Sequence, residues 1–192
     1  MPITLNGSGT VSGISVGGLP DGIIQSADLA TGTGGKILQV VSTTKTDTAS
    51  FASANTSNFT DISGLSVSIT PSSTSNKILV VATVAAAVGT GSLHVRLARG
   101  STGIAVGDSS SNRQSSTMSR RTQSSIYNLE ITPMSFNFLD SPNTTSATTS
   151  KVQATAGSTY DTTVYVNRSS GDNDYSYGAR VASTITVMEV AA

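Results

Sequence analysis

Residues 65–70 read Leu-Ser-Val-Ser-Ile-Thr, with apolar side chains at every second position and hydroxyls between them. Successive side chains of a strand point to opposite faces, so this segment offers one face to a core and one to water. Wound as a helix, the same residues would scatter their apolar groups around the surface. The period of two returns along the chain. Leu93, Val95 and Leu97 alternate with His94, Arg96 and Ala98; Phe136 and Phe138 alternate with Asn137 and Leu139; Val164 and Val166 flank Tyr165; Ile185 and Val187 alternate with Thr184 and Thr186. No segment carries an apolar stripe of helical period over three turns. Ser and Thr fill most polar positions, 33 and 28 of them among 192 residues. Thr, Val and Ile suit a pleated, half-buried backbone, and Ser, Gly and Asn suit turns.

Eight to ten strands are expected from residue 36 onward, separated by turn signals at sandwich spacing. Residues 36–43 form an apolar run expected to be a buried strand. Residues 71–76 are a turn, residues 77–88 a long apolar strand, and residues 89–91 the next turn. Residues 108–125 are polar throughout and read as a long exposed insertion. The fold class expected is all-β, an antiparallel β-sandwich of the jelly-roll kind, with a Gly-rich extended N-terminal arm.

That arm, residues 1–35, differs from the rest. Gly7, Gly9, Gly13, Gly17, Gly18 and Gly22 are expected to break every element, and Ile3, Leu5, Val11, Ile14, Val16 and Leu19 stand isolated between them. Six scattered apolar residues cannot bury a core, but they suit an arm that docks on a partner or winds with two copies of itself. Residues 23–30 allow one helical turn, ended by Gly32, Gly34 and Gly35. A tail without fixed structure is the alternative. The division expected is an anchoring arm or stalk, 1–35, and a knob, 36–192. No basic start and apolar core mark residues 1–18 as a signal peptide. The longest apolar run, residues 78–88, contains Thr83 and is too short to span a bilayer as a helix, so no membrane insertion is expected.

Composition leaves little chemistry. Only 11 Lys and Arg, balanced by 11 Asp and Glu, are spread over the chain, which argues against nucleic acid as a partner. Without Cys there is no disulfide and no thiolate metal site. Gly35-Lys36 fails the phosphate-loop pattern, because Ile37 follows the Lys and Ala30 stands where the first Gly belongs. His94 is the sole His, so any His-based triad or metal site would need it; its place opposite an apolar face gives it a structural or exposed role. Asp172 and Asp174 offer oxygens to Ca²⁺, but the calcium-loop pattern is absent and a capped turn is the plainer reading. Glu130, Asp140 and Asp161 are the carboxylates a glycosidase would need, and nothing in the sequence pairs them. No catalytic residue, cofactor or metal is expected.

Two clusters suit recognition instead. Tyr160, Tyr165, Tyr175 and Tyr177 lie around Arg168 and Arg180, and Tyr and Arg are favoured where large amphipathic groups make contacts. Sugars are held on such aromatic faces; packing at strand edges or between protomers is the alternative. Arg113, Arg120 and Arg121 in the polar insertion would meet an anionic surface or an acidic neighbouring subunit, or stay solvated.

The residues Gly35-Lys36-Ile37-Leu38-Gln39-Val40-Val41, Leu65 to Pro71, and Ser75-Asn76-Lys77-Ile78-Leu79-Val80 resemble a group of marine phage and cyanophage tail-fibre-like virion structural proteins. Arg96-Leu97-Ala98-Arg99-Gly100, Phe138-Leu139-Asp140-Ser141-Pro142, Lys151-Val152-Gln153 and Ile185-Thr186-Val187-Met188-Glu189-Val190 extend the resemblance over residues 35–192. It implies a homotrimeric jelly roll of the tumour-necrosis-factor/C1q kind on the virion surface. It also implies other virion proteins, of tail or capsid, as partners, and a host surface glycan as a further one. One departure is Ser150, where the resemblance implies an aromatic before Lys151. The leading expectation is a non-enzymatic short tail fibre or receptor-binding knob. A capsid decoration protein or head fibre is the second, and a small carbohydrate hydrolase the third.

Overall fold

The computed structural model describes Thr4–Leu5, Val11–Ser12 and residues 35–53, 58–122, 129–157 and 162–192. The chain divides into two units, Met1–Lys36 and Ile37–Ala192. In the first, β1 (Thr4–Leu5) and β2 (Val11–Ser12) pair antiparallel, with Leu5 opposite Val11. The glycines therefore do not break every element. These four positions hold none, and two cross-strand pairs need no more.

The second unit is built from β3 (Ile37–Lys45), β4 (Ala49–Ala52), β5 (Thr60–Ile69), β6 (Lys77–Ala87), β7 (Gly91–Arg99), β8 (Thr102–Ile104), β9 (Met118–Thr122), β10 (Thr132–Asp140), β11 (Thr148–Gly157), β12 (Thr163–Val166) and β13 (Ser183–Val190). Every ladder is antiparallel. One sheet runs β3-β13-β6-β10, with β4 and β12 continuing β3 and β13 end to end. The other runs β5-β11-β7, and β8 and β9 share the far edge of β7. Among the long strands β3, β5, β6, β7, β10, β11 and β13, every step along the chain crosses between sheets. That winding is a jelly roll.

The alternating residues meet between the sheets. Leu65, Val67 and Ile69 of β5, Val80, Ala82 and Val84 of β6, Leu93, Val95 and Leu97 of β7, Val152 and Ala154 of β11, and Ile185 and Val187 of β13 form one buried core. Ile62 and Leu65 are both buried although three residues apart, because a bulge intervenes. Gly64 there has φ +78, a conformation that glycine adopts at no steric cost. Two arginines tie the edge strand β10 to the opposite sheet. The Nη1 of Arg99 donates to both carboxylate oxygens of Asp140, at 3.0 and 2.9 Å, and Arg120 donates to Glu130 and Thr132.

Glu189 is 1% exposed, and among the described residues no Lys or Arg forms an ion pair with it. Its carboxylate accepts from the Gln39 amide at 2.5 Å, the Ser72 backbone N–H at 2.6 Å, the Ser72 hydroxyl at 2.7 Å and the Asn76 amide at 2.7 Å. Burial works to raise this carboxyl, but the hydrogen bonds from Asn76, Gln39 and Ser72 outweigh it and hold the pKa at about 2, from an ordinary 4.5. The cluster joins β3, the turn after β5, and β13.

Three readings need correction. Residues 36–43 do form a strand, β3, but Ile37, Leu38, Val40 and Val41 are exposed, because β3 is the last strand of its sheet. The polar insertion is not one loop, since its residues 118–122 are β9, which pairs with β7. An edge strand of Met-Ser-Arg-Arg-Thr has almost no apolar alternation to reveal it. Among the described residues eleven strands, beyond the eight to ten expected, follow residue 36, because β4, β8, β9 and β12 have five residues or fewer.

The two outer faces differ. On the β5-β11-β7 sheet the outward positions are polar apart from Ala98: Ser66, Ser68, Asp61, Thr149, Lys151, Gln153, Arg96 and His94. On the other sheet, direct cross-strand neighbours form a wholly apolar outer row, Val40-Met188-Leu79-Leu139. The next rows are Ser42-Thr186-Val81-Asn137 and Thr44-Thr184-Thr83-Ser135, with no charge in any of the three. Val40 is 56% exposed and Leu139 52%.

Candidate functional site

The chain between β12 and β13 builds the site. It starts at Asn167, which is fully buried with φ +60. Asn tolerates this left-handed conformation, and the side chain supplies the reason it is kept. Its amide donates to the backbone oxygens of Lys45 and Asp47, both at 2.9 Å, and its carbonyl accepts from Ser183 Oγ at 2.6 Å. Its backbone oxygen also accepts from Val181 N–H at 3.1 Å. One residue thus holds both ends of the loop.

Within the loop, Asp172 has φ +48 and its carboxylate is shared by two arginines, Arg180 at 2.8 Å and Arg168 at 3.5 Å. Arg168 in turn lies 4.6 Å over the Tyr165 ring, a cation–π contact. Tyr175 N–H donates to Asn173 O, and Gly178 N–H to Tyr175 O. A Cβ at Gly178 would meet those two carbonyl oxygens at 3.1 and 3.2 Å, so this tight turn leaves little room for a side chain. The turn sets the Tyr175 and Tyr177 rings parallel, with centroids 5.0 Å apart and planes at 20°. Both rings are exposed, Tyr177 by 71%. Beside them opens a cleft of about 250 Å³ lined by Ser169, Asp172, Asn173, Asp174, Tyr175 and Arg180. Tyr165, Arg168, Tyr175, Tyr177 and Arg180, singled out in the sequence, therefore belong to one loop and its supporting strand.

The insertion arginines go elsewhere. Arg120 is engaged with Glu130 and Thr132, a tie between sheets. Arg121 is exposed on β9, opposite Ser92. Arg113 lines a second cavity, about 330 Å³, with His94, Asn112, Gln114, Ser116, Ser119 and Gly157. Burial pushes the His94 imidazole below its ordinary 6.5, and its buried Nδ1 has no hydrogen-bond partner among the described residues. Among the described residues no carboxylate lines this cavity. The sequence gives no sign that Arg113 and His94 share a cavity, since the loop before β9 decides it.

Glu130 precedes β10 and Asp140 ends it, and nine strand residues at roughly 3.3 Å each hold them on the order of 30 Å apart. A glycosidase pair needs no more than about 10 Å. Among the described residues no cluster of three or more His, Asp or Glu is gathered for a metal. Asp161 and Tyr160 lie outside the described residues, as do Ile3, Ile14, Val16, Leu19 and the helical turn expected at 23–30. Ser150 is 1% exposed and faces the core, so an aromatic at this position would enter the sandwich. No protein-family model matches the chain, and no curated protein matches it.

Proposed function

We propose that this chain is a non-enzymatic bacteriophage virion protein, a trimeric short tail fibre whose jelly-roll knob touches the host while residues 1–35 anchor it to the particle. The observation that supports this reading is the contrast between the two outer faces. A sandwich that works alone gains nothing from a row such as Val40-Met188-Leu79-Leu139 in water. Contiguous exposed apolar surface marks an interaction face. Neutral hydroxyl rows beside it can be covered by another subunit without stranding a charge. The resemblance described above supplies the number three and the virion setting.

Native mass measurement of the full chain tests the assembly: three chains are expected, and a single-chain mass overturns it. Immunogold labelling of intact virions with antibody to residues 36–192 tests the placement. Gold at the tail supports the fibre, and gold over the head replaces it with the decoration protein.

A further inference from the structure

We infer that the Tyr175–Tyr177 loop is a binding site for a neutral pyranose sugar. The inference deepens the reading of the domain as a host-touching knob and rests on it for the source of the glycan, but its physical argument is local.

A pyranose has one face of C–H groups and a rim of hydroxyls. The C–H face carries slight positive charge and packs on the negative face of an aromatic ring. Tyr175 and Tyr177 present such a surface, exposed by 52% and 71%. Their parallel stack is held by the turn around Gly178, so little ordering cost falls on binding. The hydroxyl rim needs acceptors and donors next to the ring. Asp174 and Asn173 line the adjoining cleft, and among the described residues neither side chain has a hydrogen-bond or ion-pair partner. The cleft, about 250 Å³, has room for one sugar ring and not for a long chain of them.

The charges choose the class of sugar. Arg168 and Arg180 are the cations of the loop, and both are engaged with Asp172. The carboxylate left over belongs to Asp174. An acidic sugar would meet that free negative charge and find both guanidinium groups already paired, whereas vicinal hydroxyls can donate to it. Hydrogen bonds to a charged acceptor are the stronger kind.

Saturation-transfer NMR on the full chain tests this, with methyl α-D-mannopyranoside, methyl β-D-glucopyranoside and methyl β-D-galactopyranoside as neutral probes and N-acetylneuraminic acid as the acidic one. At least one neutral glycoside is expected to bind, with saturation strongest at its ring C–H protons. Tyr177→Ala and Tyr175→Ala should each abolish the signal, Tyr175→Phe should keep it, and Asp174→Asn should weaken affinity about tenfold. Circular dichroism confirms that each variant is folded, and Asp174→Asn, an exposed change, keeps the test available if a Tyr variant is not. Binding by no neutral glycoside, binding by the acidic sugar alone, or binding indifferent to all these substitutions overturns the inference. None of these results bears on the immunogold pattern or the native mass, so the site and the virion reading fail separately.

Discussion

At the scale of single residues, buried polar groups do the most specific work. Glu189 is a carboxylate whose partners are all neutral donors. Replacing it by Gln turns one acceptor into a donor facing donors, which should cost about 2 kcal/mol by urea denaturation. Its folded pKa, about 2, lies below its ordinary value, so its contribution is complete above about pH 4.5 and is lost as the pH falls toward 2. Wild-type stability should therefore fall across that window, and Glu189→Gln should flatten the fall. An unchanged slope in the variant would mean that other carboxylates carry the acid sensitivity. Asn167→Ala should cost about 2–4 kcal/mol, since it removes the buried hydrogen bonds that hold this residue at φ +60, a conformation Ala tolerates less well than Asn. Gly157 makes the reverse case. A Cβ there would lie 2.5 Å from His94 Nε2 and 2.9 Å from its Cδ2. Gly157→Ala should cost about 1 kcal/mol or more, and a double-mutant cycle with His94→Ala should recover most of it.

Elements divide by which face they turn inward. Leu97 of β7 is fully buried and Leu139 of β10 is half exposed, although both sit in alternating strands. Leu97→Ala should cost about 3–5 kcal/mol, and Leu139→Ala less than about 0.5 kcal/mol in the dissociated chain. Equal losses would show that the outer row is packed by its own subunit. Alternation located β5, β7, β10, β12 and β13, because each sends every second side chain into the core. It misjudged β3, because an apolar run is the same string of letters whether its outer face is covered by its own domain or by nothing. It missed β9, because an edge strand that contributes one buried residue, Thr122, leaves no apolar period to read.

For the whole molecule, the question is what covers the Val40-Met188-Leu79-Leu139 row. Val40→Lys and Leu139→Lys place a charge on that face without touching the core. Each should leave the sheet content unchanged by circular dichroism and shift the native mass from three chains toward one. A trimer that survives both would move the subunit contact elsewhere on the domain.

The class was legible in the residue order: period-two patterning with hydroxyls between apolar residues leaves a two-layered β structure as the way to bury Leu65, Val67, Leu93, Val95, Leu97, Ile185 and Val187 together. The same order also singled out the Tyr and Arg of the loop between β12 and β13, since they stand close in the chain. The strand order, the pairing of Arg120 with Glu130, the meeting of Arg113 with His94, and the apolar outer row assembled from β3, β13, β6 and β10 emerge in the folded chain alone. Those depend on contacts between residues ten or more positions apart, and local pattern carries no information about which distant strand will lie alongside.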